Sequence, residues 1–246
     1  MSCKDHFSGH AIVYAAARPT YPPELFDWLA VQCPQRRLAW DAGCGNGQAS
    51  VALAAHFDEV FASDPSATQI EAASAHPKVR YTVEPAEQCS LPDACADLVT
   101  VAQALHWFDT ERFYAEVRRV LVPGGLLAVW TYELSNVSPE VDAVFMRLYH
   151  ALDAYWPPER RHVEARYSTL PFPFEPIAAP VFELRCDWTL AQYFAYLRSW
   201  SATQRCQLAT GRDAVAEIVP DMRAAWGDPE QTRTVRWPMT VIAGRE

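Results

Sequence analysis

Residues 38–48, LAWDAGCGNGQ, constrain the fold more than any other stretch of this chain. Three glycines alternate with other residues directly after a short apolar run, and the residues that follow have helical character. Glycine lets a turn fold tightly and lets its backbone approach a bound molecule where a Cβ would obstruct it. In a doubly wound sheet, the turn that leaves the first strand faces the ligand. The stretch therefore predicts a strand, a ligand-binding turn and a helix.

Short apolar runs alternate with amphipathic stretches along most of the chain. The runs predict seven strands, at residues 38–42, 59–63, 79–83, 97–102, 126–132, 182–187 and 234–243. The clearest predicted helices are at residues 24–31, 111–121 and 139–152. Strands separated by helices of this length pair in parallel through right-handed crossovers. We therefore predict an α/β fold with a doubly wound, mostly parallel, seven-stranded sheet of the Rossmann-like type, in a single domain of residues 1–246.

Two segments interrupt the alternation of strands and helices. Residues 1–33 form a polar arm followed by a helix, and residues 133–180 follow the fifth strand and are rich in Pro, Arg and aromatic residues near their end. Open α/β sheets bind ligands beyond the carboxyl ends of their strands. We expect both segments to contribute a helical cap over that edge.

Composition limits the partners of the chain. A net charge of -9 and a pI near 5.3 disfavour a nucleic-acid surface, which needs clustered Lys and Arg. No run of about 18 apolar residues and no export signal is visible, so we expect a cytoplasmic protein that does not enter a membrane. The seven cysteines form no CxxC pair and predict neither disulfides nor a metal site. A small-molecule partner is expected, for a monomer or a homodimer.

Two acidic residues indicate which ligand the glycine turn binds. The third glycine comes one residue too early for the dinucleotide fingerprint G-x-G-x-x-G, and no G-x-x-x-x-G-K-[ST] run is present. Asp41, beside the turn, would repel a pyrophosphate but attract an ammonium group. Asp64, at the end of the second predicted strand, can accept hydrogen bonds from ribose hydroxyls. A ligand that carries both a ribose and a cationic group could interact with both carboxylates. The alternative is that the glycines form an ordinary tight turn that binds no ligand.

These motifs carry a family resemblance. DAGCGNG, Asp64, PAEQCSLPDACADLVTVAQALHWF and RRVLVPGGLLAVW resemble the class I S-adenosylmethionine-dependent methyltransferases over roughly residues 5–245. Within that class, FSGHAIVYAAARPTYPPELFDWL and ALHWFD resemble the small-molecule branch that includes trans-aconitate methyltransferase. The resemblance implies S-adenosyl-L-methionine as the cofactor.

The resemblance also implies where the cofactor binds. Its expected contacts are Tyr14, Arg18, Asp41, Gly43, Gly45, Gly47, Asp64, Pro65, Ala86, Glu87 and Gln103. Within this set, the glycines and Asp41 match the loop around the methionyl part and Asp64 matches the ribose acid. Ala86 and Glu87 match the stretch along the adenine, although Glu87 could instead be a solvated loop acid. Gln103 matches a residue close to the sulfonium and the methyl group, and the N-terminal pair matches an element that closes over the cofactor's carboxylate.

Three further residues are candidates for the acceptor side. His106 follows the fourth predicted strand and could act as a general base, because an unperturbed imidazole is partly neutral at pH 7. Its alternative role is to pack and orient Trp107. Trp107 and Trp200 could form walls for the substrate, although aromatic residues at such positions are more often core.

We expect methyl transfer to a small molecule, with O-methylation of an acidic or aromatic metabolite as the leading hypothesis. Methyl transfer from a sulfonium needs a well-placed nucleophile and little covalent chemistry by the protein. That need agrees with a sequence that contains an elaborate cofactor motif and no evident catalytic triad. A C- or N-methyltransferase, or a regulatory module that binds the cofactor without catalysis, remain the alternatives.

Overall fold

The computed structural model describes residues 19–246. The strands are β1 (Leu38–Ala42), β2 (Glu59–Asp64), β3 (Val79–Val83), β4 (Ala96–Ala102), β5 (Leu121–Tyr132), β6 (Glu175–Ile177), β7 (Glu183–Trp188) and β8 (Arg233–Arg245). The α-helices are α1 (Pro23–Gln32), α2 (Gln48–Leu53), α3 (Ala67–Glu71), α4 (Thr110–Val120), α5 (Pro139–Ala151), α6 (Arg160–Glu164), α7 (Leu190–Arg198), α8 (Ser201–Thr210) and α9 (Ala214–Trp226). Single 3₁₀ turns lie at Leu105–Trp107 and Asp153–Tyr155.

The strands form one sheet in the order β3-β2-β1-β4-β5-β8-β6, with β7 also paired to β8. Strands β1 to β5 run parallel to one another, and β8 is antiparallel to β5, β6 and β7. The chain builds outward from β1 in one direction through β2 and β3 and in the other through β4 and β5. The strand order thus reverses between β1 and β4, which is where a doubly wound sheet opens a crevice for ligands.

Both faces of the sheet are covered, which explains the apolar runs in the sequence. Successive side chains of a strand point to opposite faces. In β4, Leu98 packs into the core beneath α1, α5, α7 and α9, whereas Val99 packs into the core beneath α4. In β5, Ala128 likewise packs into the first of these cores and Val129 into the second. A strand that is buried on both sides needs an apolar residue at nearly every position, so its sequence loses the polar alternation of a half-exposed strand.

The predicted fold is confirmed, with eight strands in place of seven. The additional strand is β6, which lies inside the predicted insertion of residues 133–180 and pairs with Ala243, Gly244 and Arg245 of β8. Sequence analysis missed it because it is three residues long and contains Pro176. Proline lacks the N–H that a central strand needs but is tolerated at a sheet edge. The last part of the insertion therefore extends the sheet edge.

The boundary between α4 and β5 also differs from the prediction. The strand predicted at residues 126–132 begins earlier, at Leu121, directly after α4 ends at Val120, so the run Pro123-Gly124-Gly125 lies inside β5. The pairing of β4 with β5 shifts register across this run, and Gly124 has a φ of +77°. The run thus forms an irregularity within a long strand.

Helix α5 places several aromatic side chains near the ligand-binding edge. Val141, Val144, Phe145, Leu148 and Tyr149 form its buried face, as the helical spacing predicted. Ser138 caps its first turn by accepting a hydrogen bond from the Val141 N–H, and a proline occupies the first helical position.

Within residues 19–246, no helix is long and apolar enough to cross a membrane.

Candidate active site

The glycine turn lies at the carboxyl end of β1, beside the point where the strand order reverses. Gly43, Gly45 and Gly47 have φ values of +67°, +55° and +82°, which L residues with a Cβ rarely adopt. The Cys44 N–H donates to the Ser63 carbonyl at 3.0 Å, and the Gly47 N–H donates to the Cys44 carbonyl at 3.0 Å. The sequence thus selects glycine at alternate positions because the turn needs a left-handed conformation at each of them.

Two of the three glycines also allow close approach of other side chains. A Cβ on Gly43 would lie 2.8 Å from the Cβ of Ala104 and 2.9 Å from the Phe108 ring. A Cβ on Gly47 would lie 2.1 Å from the hydroxyl oxygen of Tyr81. The turn is therefore pressed against the segment that follows β4 on one side and against β3 on the other.

Asp64 holds the turn from the end of β2. Its Oδ2 accepts the Gly45 N–H at 2.9 Å, and its Oδ1 accepts the Ser66 N–H at 2.9 Å. A carboxylate oxygen can accept more than one hydrogen bond, so these two bonds are compatible with a further role toward ribose hydroxyls. The acid that we predicted to contact the ligand thus also shapes the turn that receives it.

Asp41 lies beneath the turn and has no exposed surface. Ser50 Oγ donates to its Oδ2 at 2.6 Å, and Thr100 Oγ1 donates to its Oδ1 at 3.1 Å. Burial raises the pKa of Asp41 to about 6, although the two hydroxyl groups oppose the shift by stabilising the ionised form. This carboxyl group therefore connects β1 with α2 and β4, and its charge acts on a ligand from below the turn.

Three of the other predicted cofactor residues follow the ends of β2 and β3. Pro65 is exposed directly after Asp64, and Ala86 is buried in the loop after β3. Glu87 Oε1 accepts the backbone N–H of Asp109 at 2.9 Å, so its carboxylate fixes the residue that caps α4. Tyr14 and Arg18 lie outside the described residues. The assigned cofactor contacts remain predictions at all of these positions.

An open cleft lies on the other side of the end of β4. It contains about 700 Å³ of empty space, with its solvent-open mouth included. Its lining residues are Gln103, His106, Trp107, Tyr132, Glu133, Leu134, Trp156, Pro157, Arg160, Val163, Tyr196, Trp200 and Ser201. Trp and Tyr side chains form much of its walls. The three residues predicted for the acceptor side, His106, Trp107 and Trp200, thus line one cleft together with Gln103, which was predicted as a cofactor contact.

Gln103 connects the cleft with the glycine turn. Its φ of +58° is unusual for a residue with a side chain, and such strain persists where the surroundings enforce it. The Thr131 hydroxyl donates to its Oε1 at 2.6 Å, and its N–H donates to the Trp130 carbonyl at 3.0 Å. Its neighbour Ala104 faces Gly43. One short segment therefore contacts the cofactor turn and lines the cleft.

His106 lies in the wall of the cleft, close to its floor. Its Nδ1 is 3.0 Å from the hydroxyl oxygen of Tyr167, and its ring lies 4.7 Å from the Trp107 ring. Burial, with a smaller contribution from the positive charge of Arg160, lowers the pKa of His106 to about 3. The imidazole is therefore neutral at physiological pH and a weak proton acceptor. Burial also raises the pKa of Tyr167, which keeps its phenol protonated.

Sequence analysis did not assign Tyr132, Trp156, Tyr167 or Tyr196 to the site. Trp156 lies between α5 and α6, and Tyr196 lies on α7, so both are distant in sequence from the end of β4. Tyr167 is 1% exposed and has a φ of +59°, in a segment without periodic pattern. The many aromatic residues in 133–180 could have indicated that this segment contributes to the site. The spacing of these residues in the sequence, however, does not indicate which rings face the cleft.

The fold places a glycine turn of the kind that binds nucleotide cofactors beside an open cleft. A family model of the methyltransferase domain matches residues 40–129. A Dictyostelium discoideum protein named as a methyltransferase is 34% identical over 227 residues, which cover 90% of this chain and 86% of the relative. A solved structure from Anaeromyxobacter dehalogenans, described as a type II methyltransferase, is 51% identical, with a TM-score of 0.88 over 93% of this chain and 97% of the other.

A third relative carries a name that states the cofactor. A Saccharomyces cerevisiae protein named as an S-adenosylmethionine-dependent methyltransferase is 30% identical over 152 residues, which cover 58% of this chain and 50% of the relative. The chain belongs to the class I S-adenosylmethionine-dependent methyltransferases. It is an enzyme, and S-adenosylmethionine is its cofactor.

The residues at the turn fit this cofactor. Left-handed glycines leave the backbone of the turn bare, and Asp64 stands at the end of the neighbouring strand where a ribose would lie. The buried carboxyl of Asp41 places negative charge near the turn, which suits a cationic cofactor and not a pyrophosphate.

Within residues 19–246, no group of three or more His, Cys, Asp or Glu side chains could hold a metal ion.

Replacement of Gly43 tests the close approach at the turn. We expect Gly43→Ala to weaken S-adenosylhomocysteine binding about tenfold or more, because the new Cβ must push the turn away from Ala104. Gly124→Ala is the matched control, since Gly124 also has a positive φ but has no atom within 4 Å of the position of a Cβ. Isothermal titration calorimetry measures both affinities. Equal affinities for the two variants would contradict the prediction, because the close approach of Gly43 to Ala104 would then have no effect on cofactor binding.

The raised pKa of Asp41 predicts a pH-dependent stability. In the folded protein the Asp41 carboxyl keeps its proton up to about pH 6, whereas in the unfolded chain it loses the proton near pH 3.8. The stability that protonated Asp41 contributes to the folded state is therefore fully present below about pH 4 and is lost as the pH rises to 6. The free energy of unfolding of the wild type should therefore fall relative to Asp41→Asn by about 3 kcal/mol between pH 4 and pH 7. Urea unfolding measures this difference.

Asp58→Asn is the control for the Asp41 experiment, because Asp58 is exposed. Its substitution removes one exposed carboxylate and so controls for the change in net charge. A constant difference between the wild type and Asp41→Asn would mean that Asp41 ionises in the folded protein as it does in the unfolded chain.

Proposed function

We propose that this methyltransferase transfers the methyl group to an oxygen of a small acidic or aromatic molecule bound in the cleft beside β4. The observation that carries the proposal is the position of Gln103 and Ala104. Ala104 faces the glycine turn, and Gln103 lines the aromatic cleft. A methyl donor seated on the turn and an acceptor seated in the cleft would therefore meet at the end of this strand. The sequence resemblance to the branch that includes trans-aconitate methyltransferase also supports a small acidic acceptor.

Bound S-adenosylmethionine supplies an activated methyl group, so the transfer is an in-line displacement by the acceptor. The chain contributes the geometry. Thr131 fixes the amide of Gln103 at the end of β4, and Trp107 and Trp200 limit the space open to the acceptor. The aromatic walls would shield a bound nucleophile from water on the sides that they cover. A carboxylate nucleophile needs no base in such a site.

His106 is proposed as a hydrogen-bonding group that contacts the acceptor. Its Nδ1 is occupied by the Tyr167 hydroxyl, so Nε2 is the nitrogen left for a ligand. With a pKa lowered to about 3, the ring does not gain a charge when the pH falls from 8 to 5. The predicted role as a general base would require a stronger proton acceptor. A phenolic acceptor would then lose its proton to water as it binds or reacts.

Labelled cofactor tests the proposed reaction. The protein is incubated with methyl-deuterated S-adenosylmethionine and a metabolite extract, and mass spectrometry identifies the molecules that gain the label. We expect a labelled small molecule with an O-methyl group, which alkaline hydrolysis releases as labelled methanol if it is an ester. Gly43→Ala is the control with an impaired cofactor turn. A label found only on carbon or nitrogen would establish the C- or N-methyltransferase alternative, and a label on macromolecules alone would exclude a small-molecule acceptor.

Substitution of His106 distinguishes a hydrogen bond from general base catalysis. We expect His106→Asn to reduce kcat/KM about tenfold, the value of one hydrogen bond to the acceptor. The ratio of wild-type to variant kcat/KM should stay constant from pH 5.5 to 8, because the imidazole is neutral throughout. A base with an ordinary pKa would make this ratio rise through pH 6.5. His150→Asn, at an exposed position on α5, serves as the control and should leave kcat/KM unchanged.

A further inference from the structure

Two of the residues that line the cleft carry a formal charge, Glu133 and Arg160. Glu133 is neutralised by Arg166, whose Nε and Nη2 each donate to one carboxylate oxygen at 2.9 Å. Among residues 19–246, no carboxylate lies within ion-pair distance of Arg160. The described cleft wall therefore holds one uncompensated charge, and it is positive.

The Arg160 guanidinium is held in place without being neutralised. It lies over the Trp156 ring at 5.0 Å and over the Tyr149 ring at 5.8 Å, and its Nε donates to the Tyr149 hydroxyl at 3.4 Å. The Tyr149 hydroxyl in turn donates to Glu164. Stacking fixes the plane of a guanidinium and leaves the donors on its edge available for a carboxylate or a similar anion. In the part of the chain that is described, its two Nη groups have no acceptor.

Neighbouring groups also favour an anion at this position. The positive charge of Arg160 contributes to lowering the pKa of His106, which lines the same cleft. The Arg160 guanidinium also offers hydrogen-bond donors that no residue among 19–246 accepts.

Aromatic residues make up much of the rest of the cleft wall. Trp107, Trp156, Trp200, Tyr132 and Tyr196 present rings to the space. Aromatic rings bind planar molecules by offset or edge-to-face stacking. A ligand that uses both features has a planar, largely apolar body and an anionic group at one end.

We propose that Arg160 selects the methyl acceptor by pairing with its anionic group, so that the cleft prefers planar monoanions over neutral molecules of the same shape. This inference rests on the proposed acceptor site, but it concerns binding and not the identity of the methylated atom. A neutral molecule of the same shape would cover the guanidinium without pairing it, and burying an unpaired charge opposes binding. Selectivity for charge therefore depends on this one side chain.

The experiment compares two probes of equal shape, 2-naphthoate and 2-naphthamide, by isothermal titration calorimetry on the protein saturated with S-adenosylhomocysteine. The wild type should bind the carboxylate about tenfold more tightly than the amide, as expected for one charge-assisted pair. Arg160→Met should reduce this ratio to about twofold or less by weakening carboxylate binding. Arg160→Lys keeps the charge but loses the planar fork and should give an intermediate ratio.

Arg161→Met is the matched control, because Arg161 is the next residue on α6 but is exposed and does not line the cleft. It should keep the wild-type ratio. The proposal is overturned if the wild type binds the two probes equally or binds neither, or if Arg160→Met and Arg161→Met lower the ratio alike. S-adenosylhomocysteine binding in the same samples separates this failure from a failure of the methyl-transfer proposal, since loss of cofactor binding would affect every titration.

Discussion

The close approach of Gly43 to Ala104 is the contact on which the arrangement of the site depends. A glycine is needed there because a Cβ would lie 2.8 Å from the Ala104 side chain and 2.9 Å from the Phe108 ring. This contact joins the turn after β1 to the segment after β4, across the point where the strand order reverses. This packing contact links the glycine turn to the segment that lines the cleft, so a donor on the turn and an acceptor in the cleft, as we propose, would be held in a fixed relation.

The sequence was sufficient to predict the sheet and the turn because each is coded locally. Strands buried on both faces appear as apolar runs, and a left-handed turn appears as glycines at alternate positions. Ser138 and Pro139 likewise marked the start of α5. Each of these signals comes from the few residues that form the element.

The cleft could not be predicted in the same way, because its walls come from segments far apart in the chain. Tyr167 reaches His106 across 61 residues, and Thr131 reaches Gln103 across 28. Their partners are set by how α6 and β5 pack, which no local pattern encodes. The edge strand β6 was missed for a related reason, since its pairing with β8 compensates for a short sequence that contains proline.

The charges of the site are divided across the end of β4. Asp41 and Asp64 lie on the side of the glycine turn, and Arg160 lies on the side of the cleft. Between them, Gln103 and His106 are uncharged, the latter because its pKa is lowered to about 3. Methyl transfer from a sulfonium to an anion removes both charges, so a fixed charge beside the reacting atoms would stabilise the reactants more than the transition state. The formal charges of this chain thus lie at the two ends of the proposed site, where a donor and an acceptor would be bound, and its centre is neutral, where methyl transfer would disperse charge.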